Sequence, residues 1–299
     1  MQDQQLMGLL LIPASLLGFL CNWTIFLVAS RIKSLNPSFS ILVAMLAAAD
    51  GLGSAIFLFY VSPMIVLDLK TWKEYSYHCG FLIMIAYDTY MNAHILIVLN
   101  RFLAVFTPIA YKTVFSVRAT KLLVALSILI SLSTITTFFG IFGCHLFYNN
   151  DLWMFYYTDL PICWWYAYNL DMNKVLSIAI LGVLINTIVL LKVKRTRKKV
   201  NRGQGSMVHK KREMAFLKQT VGQGVYLFVF AIVYCFLPLV VENLIIGFLL
   251  TTMFLCCLHT VDGLLVIAFN SEIREAIGLY RKKPAPGSSF FVESRRSFQ

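Results

Sequence analysis

Long stretches without charge constrain the fold of this chain more than any other feature. No charged residue lies between Asp3 and Arg31. An apolar stretch of about 18 or more residues is typical of a membrane-spanning helix, because about 20 residues rising ~1.5 Å each cross the hydrocarbon of a bilayer. Six further stretches are similar, and we place seven spans at about 6–30, 39–67, 79–105, 122–147, 166–191, 221–241 and 244–269. The sequence therefore predicts an all-α membrane protein, a bundle of seven transmembrane helices.

The placement of basic residues predicts how this bundle is oriented. The chain has a net charge of +12, yet every lysine and arginine except Lys70, Lys73 and Lys174 falls on one side of the seven predicted spans. Because basic residues accumulate on the inner side of a membrane, we expect the N-terminus outside and the C-terminus inside. Attraction to anionic membrane lipid accounts for the remaining basic excess, so we expect no nucleic-acid partner.

The C-terminal residues are predicted to leave the membrane. In "SEIREAIGLYRKK", Ile273 and Ile277 stand four apart among charged residues, which is typical of an amphipathic helix on a membrane surface. We expect this short helix at about 271–282, on the inner surface, as the last element of a transmembrane domain at 1–282. Residues 283–299 contain the proline, glycine and serine of a disordered cytoplasmic tail.

Three polar side chains fall at one depth within three different predicted spans. Asn22, Asp50 and Asp262 lie 9, 11 and 8 residues from the inner ends of their stretches. At ~1.5 Å per residue they lie about 12–17 Å from the same face. Polar groups inside a membrane are costly and usually functional, although separate polar residues can also simply hold helices together. We expect these three to form a polar layer.

One face of the third predicted span is lined by polar and aromatic residues. At about 100° per residue, His94, Tyr90 and Tyr87 fall on the same face as Arg101. Core packing would account for the tyrosines alone, but the histidine favours a lined cavity. We therefore predict a ligand cavity formed by Tyr87, Tyr90 and His94, with Trp164 from the aromatic loop before the fifth span.

Several motifs, in order, resemble those of a known receptor family. "NRF" with the later proline and tyrosine in "LNRFLAVFTPIAY" resembles the Asp-Arg-Tyr region of rhodopsin-like G-protein-coupled receptors. "GFLCNW", "LAAAD", "CFLP" and "DGLLVIAFNSEIR" are similar to their motifs on helices 1, 2, 6 and 7. More narrowly, "NPSFSILVAMLAAAD", "SPMIVLDL", "FLKQTVGQ" and "HTVDGLLVIAFNSEIR" resemble the nematode serpentine chemoreceptors of the srx class. The resemblance covers all seven helices, with Asn100 in place of the acid before the arginine.

The resemblance implies a G-protein-coupled chemosensory receptor. It implies a small-molecule ligand bound from the outer side, a heterotrimeric G protein inside, and residence in the plasma membrane of sensory neuron cilia. It assigns G-protein coupling to Arg101, Pro108 and Tyr111. The proline would end the third helix, so that the following loop can meet the partner.

Two other classes of function compete with a receptor. A seven-helix ion channel or transporter would use Asp50, Asp262 and His94 as an ion path, and current without any G protein would reveal it. An enzyme is not expected, because the sequence contains neither a metal-ligand cluster nor a nucleophile motif.

The outer side carries three cysteines, and disulfides persist on that side of a membrane. Cys79 opens the third span and Cys163 precedes the fifth. We predict a bridge between these two, which would pin the aromatic loop over the cavity. Cys144, at the outer end of the fourth span, is the alternative partner of Cys79.

The two carboxylates of the polar layer raise the question of a bound ion. Ionised carboxylates about 4 Å apart would repel by roughly 4 kcal/mol at an effective dielectric of 20. We therefore expect that either Asp50 or Asp262 holds a proton, which His259 could share, or that Na⁺ lies between them. No other metal or cofactor is expected.

Overall fold

The computed structural model describes residues 3–29, 31–32, 36–200 and 207–278, and seven of the helices in these ranges are long and apolar enough to cross a membrane. The prediction of a seven-helix transmembrane bundle is confirmed. The membrane-spanning helices are α1 (Asp3–Ala29), α2 (Pro37–Val66), α3 (Ser76–Phe106), α4 (Val117–Ile141), α5 (Pro161–Thr196), α6 (Met207–Phe236, with its apolar part at Leu217–Phe236) and α7 (Leu244–Phe269).

The helices α2 and α3 form the centre of the bundle. In each, 67% of the most apolar stretch is buried, against 22% in α4. α1 packs on α2 and α7, α3 packs on α2, α4 and α5, and α6 packs on α5 and α7. The exposed leucines and isoleucines of α1, α4 and α5 face outward, as expected for side chains that contact lipid.

Local sequence explains where several helices begin and end. The Asn36 side chain accepts a hydrogen bond from the backbone N–H of Ser38, and Pro37 occupies the first turn, where no N–H is needed. α3 ends at Phe106, and Pro108 starts a separate short helix, Pro108–Val114, as the sequence predicted. At the end of α6, Pro238 lies in a 3-10 turn, Leu237–Val240, so the sixth helix ends before residue 241.

An antiparallel hairpin, which the sequence analysis missed, covers one end of the bundle. Its strands are β1 (Leu146–Asn149) and β2 (Met154–Tyr157), with Leu146 opposite Tyr157 and Asn149 opposite Met154. The fourth helix therefore ends at Ile141 instead of residue 147. Gly143 adopts a left-handed φ of +65°, which turns the chain out of the helix and into β1.

The disulfide bond joins Cys144 to Cys163, with their Cα atoms 5.2 Å apart. The predicted Cys79–Cys163 bridge is therefore wrong, and so is the alternative Cys79–Cys144. Cys79 is a buried free thiol. The reason is the hairpin: its antiparallel strands return the chain to where it left α4, and this brings the two flanking cysteines together.

The hairpin is held closely against the start of α3. The carbonyl oxygen of Leu146 would lie only 1.8 Å from a Cβ at Gly80, so this position requires a glycine. The Ser76 hydroxyl accepts a hydrogen bond of 2.9 Å from the backbone N–H of Tyr148. The Tyr148 side chain is itself buried, and this burial raises the pKa of its phenol. These contacts make the hairpin a fixed cover, and we call the covered side the hairpin end of the bundle.

A lysine ties the loop after α2 to the turn of the hairpin. The Lys73 ammonium donates to Asp68 at 2.6 Å and to Asn150 at 2.5 Å. The hydrogen bond from Lys73 lowers the pKa of the Asp68 carboxyl. Gln4 at the start of α1 donates to Tyr148 and Asn150, so three segments meet over the hairpin end.

A short helix, α8 (Ser271–Ala276), follows α7. The Asn270 side chain accepts hydrogen bonds from the backbone N–H groups of Glu272 and Ile273, and so begins this helix. The predicted surface helix at 271–282 ends earlier, at Ala276, and Gly278 adopts a left-handed φ of +78°. Positions 279–282 and the predicted tail at 283–299 lie outside the described residues.

Candidate functional site

A cavity of about 200 Å³ lies beneath the hairpin, between α3, α5, α6 and α7. Hairpin residues form its roof, and seven of its eighteen lining residues are aromatic. Of the predicted cavity residues, Tyr87 and Trp164 line it, and the Trp164 indole is held by a 2.8 Å hydrogen bond to Asp159. Tyr90 and His94 do not line it, which corrects the sequence prediction. Both lie deeper along the same helix.

Two π-helical segments shape the walls of this cavity. Tyr166–Met172 is a π-helix within α5, and Leu249–Met253 is one within α7. An extra residue in a helical turn rotates the side chains that follow, and such segments occur frequently at functional sites. They carry the cavity residues Tyr168, Asp171 and Thr251.

Asp171 brings a carboxylate into the otherwise uncharged cavity, and the sequence analysis did not select it. Its Oδ2 atom accepts a hydrogen bond of 3.4 Å from the Tyr157 hydroxyl on β2. An ionisable residue in a membrane span is a signal for function by default, and this rule alone would have identified Asp171. The charged residues selected within the predicted spans were those at the depth of Asn22 and on the third span, and Asp171 meets neither condition.

The predicted polar layer forms farther from the hairpin, around two carboxylate–imidazole pairs. His259 Nδ1 lies 2.9 Å from Asp50 Oδ1, and His94 Nε2 lies 3.1 Å from Asp262 Oδ2. The Asn22 side chain donates to the carbonyl oxygen of His259 at 2.8 Å, which links α1 to α7. All five residues are at most 5% exposed. His94 therefore belongs to the polar layer, although the sequence analysis placed it in the ligand cavity.

Tyr90 joins the two pairs. Its ring centroid lies 4.5 Å from that of His94 and 5.9 Å from that of His259, with both imidazoles in edge-to-face orientation. Edge-to-face aromatic contacts add to stability beyond simple burial. Movement of α3 would thus disturb both carboxylate pairs together.

Glycines allow the helices of the polar layer to approach so closely. A Cβ at Gly53 would lie 2.5 Å from His259 Nε2, and a Cβ at Gly263 would lie 2.5 Å from Asn22 Oδ1. The second contact explains why glycine follows Asp262: the space of a larger residue is occupied by the asparagine of α1.

A second polar cluster lies between α3, α4 and α5. Asp88 is buried, accepts a 2.6 Å hydrogen bond from Ser131 and forms an ion pair with Lys174. Asn92 donates to both Asp88 and Ser131. These residues border a second cavity of about 430 Å³, which also reaches Asp171.

The three residues predicted to couple to a G protein lie at the end of the bundle opposite the hairpin, which we call the arginine end. The guanidinium of Arg101 lies 3.8 Å from the ring centroid of Phe39 on α2. Tyr111, on the short helix that begins at Pro108, shares a hydrogen bond of 3.0 Å with Ser38. Both contacts tie the end of α3 and its loop to the start of α2.

Comparisons with known proteins agree with this architecture. Residues 12–270 match the family model described as serpentine type 7TM GPCR chemoreceptor Srx. Serpentine receptor class X 45 of Caenorhabditis elegans is 25% identical over 289 residues, covering 90% of this chain and 80% of its own. Serpentine receptor class X-43 of the same organism is 26% identical over 284 residues, covering 91% of this chain and 86% of its own. The chain therefore belongs to the Srx family of seven-transmembrane serpentine chemoreceptors.

Proposed function

We propose that this protein binds a small molecule in the cavity beneath the hairpin and, in response, activates a heterotrimeric G protein at the arginine end. The hairpin end would face outward, as the distribution of basic residues predicts. The family is one of chemoreceptors, so we expect the protein in the plasma membrane of sensory neurons, in their cilia, in contact with membrane lipid.

One observation carries this proposal: a single helix, α3, passes through all three sites. Tyr87 lines the cavity, His94 bonds to Asp262 in the polar layer, and Arg101 lies at the opposite end. A ligand that contacts α3 differently in two arrangements of the helices shifts the balance between them. That shift would reach the arginine end, and coupling of this kind acts in both directions between the sites.

The polar layer supports a role as the element that changes between the two arrangements. Its contacts join α1, α2, α3 and α7 through hydrogen bonds rather than through apolar packing alone. The Oδ1 atom of Asp262 makes no hydrogen bond to any described protein atom and would be the ligand of a Na⁺ ion. Two separate carboxylate–imidazole pairs and one Na⁺ ion shared by Asp50 and Asp262 are competing arrangements of this layer, and substitution of the two carboxylates distinguishes them.

Loss of Arg101 tests the coupling role. In cells that carry a promiscuous G protein and a calcium reporter, we expect Arg101→Ala to abolish the response to an odorant panel while surface delivery stays near that of the wild type. Arg118→Ala is the matched control, because Arg118 is an exposed arginine near the same end of the bundle. A full response from Arg101→Ala at normal surface density would refute this role. If the alanine variant does not reach the cell surface, Arg101→Lys is measured in its place.

The same cells separate a receptor from the channel or transporter alternative. An ion path through Asp50, Asp262 and His94 would give a current that persists when G proteins are blocked. We expect no such current, because these carboxylates are buried and each is hydrogen-bonded to a histidine.

A further inference from the structure

The cavity beneath the hairpin combines many aromatic rings with one carboxylate. Its aromatic residues come from four places: Tyr87 on α3, Phe155, Tyr156 and Tyr157 on β2, Trp164 and Tyr168 near the start of α5, and Tyr234 on α6. Among its lining residues, Asp171 is the one acidic side chain, and none is a lysine, arginine or histidine. The cavity therefore offers a carboxyl group to a ligand with no basic side chain beside it.

No basic side chain of the described residues pairs with Asp171. Within the described ranges, the carboxylate makes one hydrogen bond, to the Tyr157 hydroxyl, and takes part in no ion pair. The nearest basic residue along the helix, Lys174, is held by Asp88, which also accepts a hydrogen bond from Ser131. Lys174 is thus already paired, on the side of the second cavity.

We propose that the ligand of this cavity is a small organic cation, an amine or a quaternary ammonium. Its charge would pair with Asp171 and lie against the faces of the surrounding tyrosines and tryptophan. A cation over an aromatic face is attracted by the negative face of the ring, and aromatic cages of this kind bind ammonium groups. This inference rests on the proposed function, since it names the chemistry of the ligand.

The dimensions of the cavity limit the size of that cation. At about 200 Å³ it is smaller than the ~300–1,000 Å³ typical of sites for drug-sized molecules. A carboxylate ligand is disfavoured, because it would face Asp171 with no basic partner. A neutral ligand of the same shape would fill the space but leave the carboxylate without a counter-charge.

Thermal unfolding of the purified receptor tests this chemistry without any G protein. The probes are two cations with neutral counterparts of nearly the same shape: choline with 3,3-dimethylbutan-1-ol, and 3-methylbutan-1-amine with 3-methylbutan-1-ol. At millimolar concentration we expect at least one cation to raise the Tm by roughly 2 °C or more, and its alcohol to have little effect.

Variants then locate the binding. Asp171→Asn should weaken binding of the active cation by about 30-fold or more, as expected when one partner of a buried charge pair is lost. Asp171→Glu should retain more affinity than the asparagine variant. Asp151→Asn is the matched control, because it removes an exposed carboxylate from the hairpin turn and should bind as the wild type does.

Three results would overturn the proposal: equal stabilisation by the alcohols, undiminished binding by Asp171→Asn, or no stabilisation of the wild type by either cation. Because the assay contains no G protein, binding without signalling in cells would instead count against the proposed function and leave this inference intact.

Discussion

Substitution of Asp50 and Asp262, separately and together, tests whether these carboxylates form two separate pairs with histidines or share one cation. The two arrangements predict opposite deviations from additive effects on stability. Asp50 and Asp262 each have their own imidazole partner, at 2.9 and 3.1 Å, and the Tyr90 ring contacts both imidazoles. We therefore expect two separately bonded carboxylates that repel each other. The alternative is one Na⁺ ion, or one proton, shared by both. Asp50→Asn, Asp262→Asn and the double variant distinguish the two.

The size of the expected effect on stability depends on the hydrogen bond that each substitution weakens and on the carboxylate repulsion that it relieves. A hydrogen bond to a charged group contributes about 1.5–3 kcal/mol. Each single substitution loses that contribution but also relieves the repulsion between the carboxylates. The double variant loses both bonds, and the repulsion can be relieved only once. We therefore expect the double variant to be less stable than the sum of the single effects, by about 0.5–3 kcal/mol.

The assay is thermal unfolding of the purified receptor, in NaCl and in KCl at equal ionic strength. Each kcal/mol should move the Tm by about 2–4 °C. Asp151→Asn, with its exposed carboxylate, should unfold as the wild type does. If the carboxylates share a cation, either single change removes it, so the double variant would cost less than the sum. That result, with a Tm that depends on sodium, would refute separate pairs.

Two further predictions concern the hairpin and the polar layer. Peptide mapping without reduction should find Cys144 bonded to Cys163, and a peptide that joins either of them to Cys79 would contradict the structure. Replacing both bonded cysteines by serine should destabilise the receptor by about 3 kcal/mol, because the bond closes a loop with a sequence separation of 19. Gly53→Ala places a Cβ 2.5 Å from His259 Nε2 and should lower stability by about 1–3 kcal/mol. Gly247→Ala, whose Cβ would lie 3.6 Å from its nearest neighbour, should change stability far less, and equal effects would show that the polar layer has room for the methyl group.

The sequence by itself determined the number of membrane-spanning helices and the common depth of three polar-layer residues. Both follow from position along one chain. A bilayer requires long apolar stretches, and a helix rises ~1.5 Å per residue, so depth can be counted from the end of a span. Asn22, Asp50 and Asp262 were brought together in this way, and the proline at 108 marked the end of α3.

Only the tertiary structure decided which groups face each other. Tyr87 and His94 share one face of α3, as counted, but the neighbours of that face change with depth: the cavity for Tyr87 and α7 for His94. π-helical turns in α5 and α7 rotate the side chains beyond them, so counting at a fixed angle gives no reliable face for Asp171. The bond between Cys144 and Cys163 depends on the hairpin, because its paired antiparallel strands bring together two cysteines that are 19 residues apart in the sequence. Contacts between segments depend on rotation and packing against other segments, and these are not encoded in the spacing of residues along any one helix.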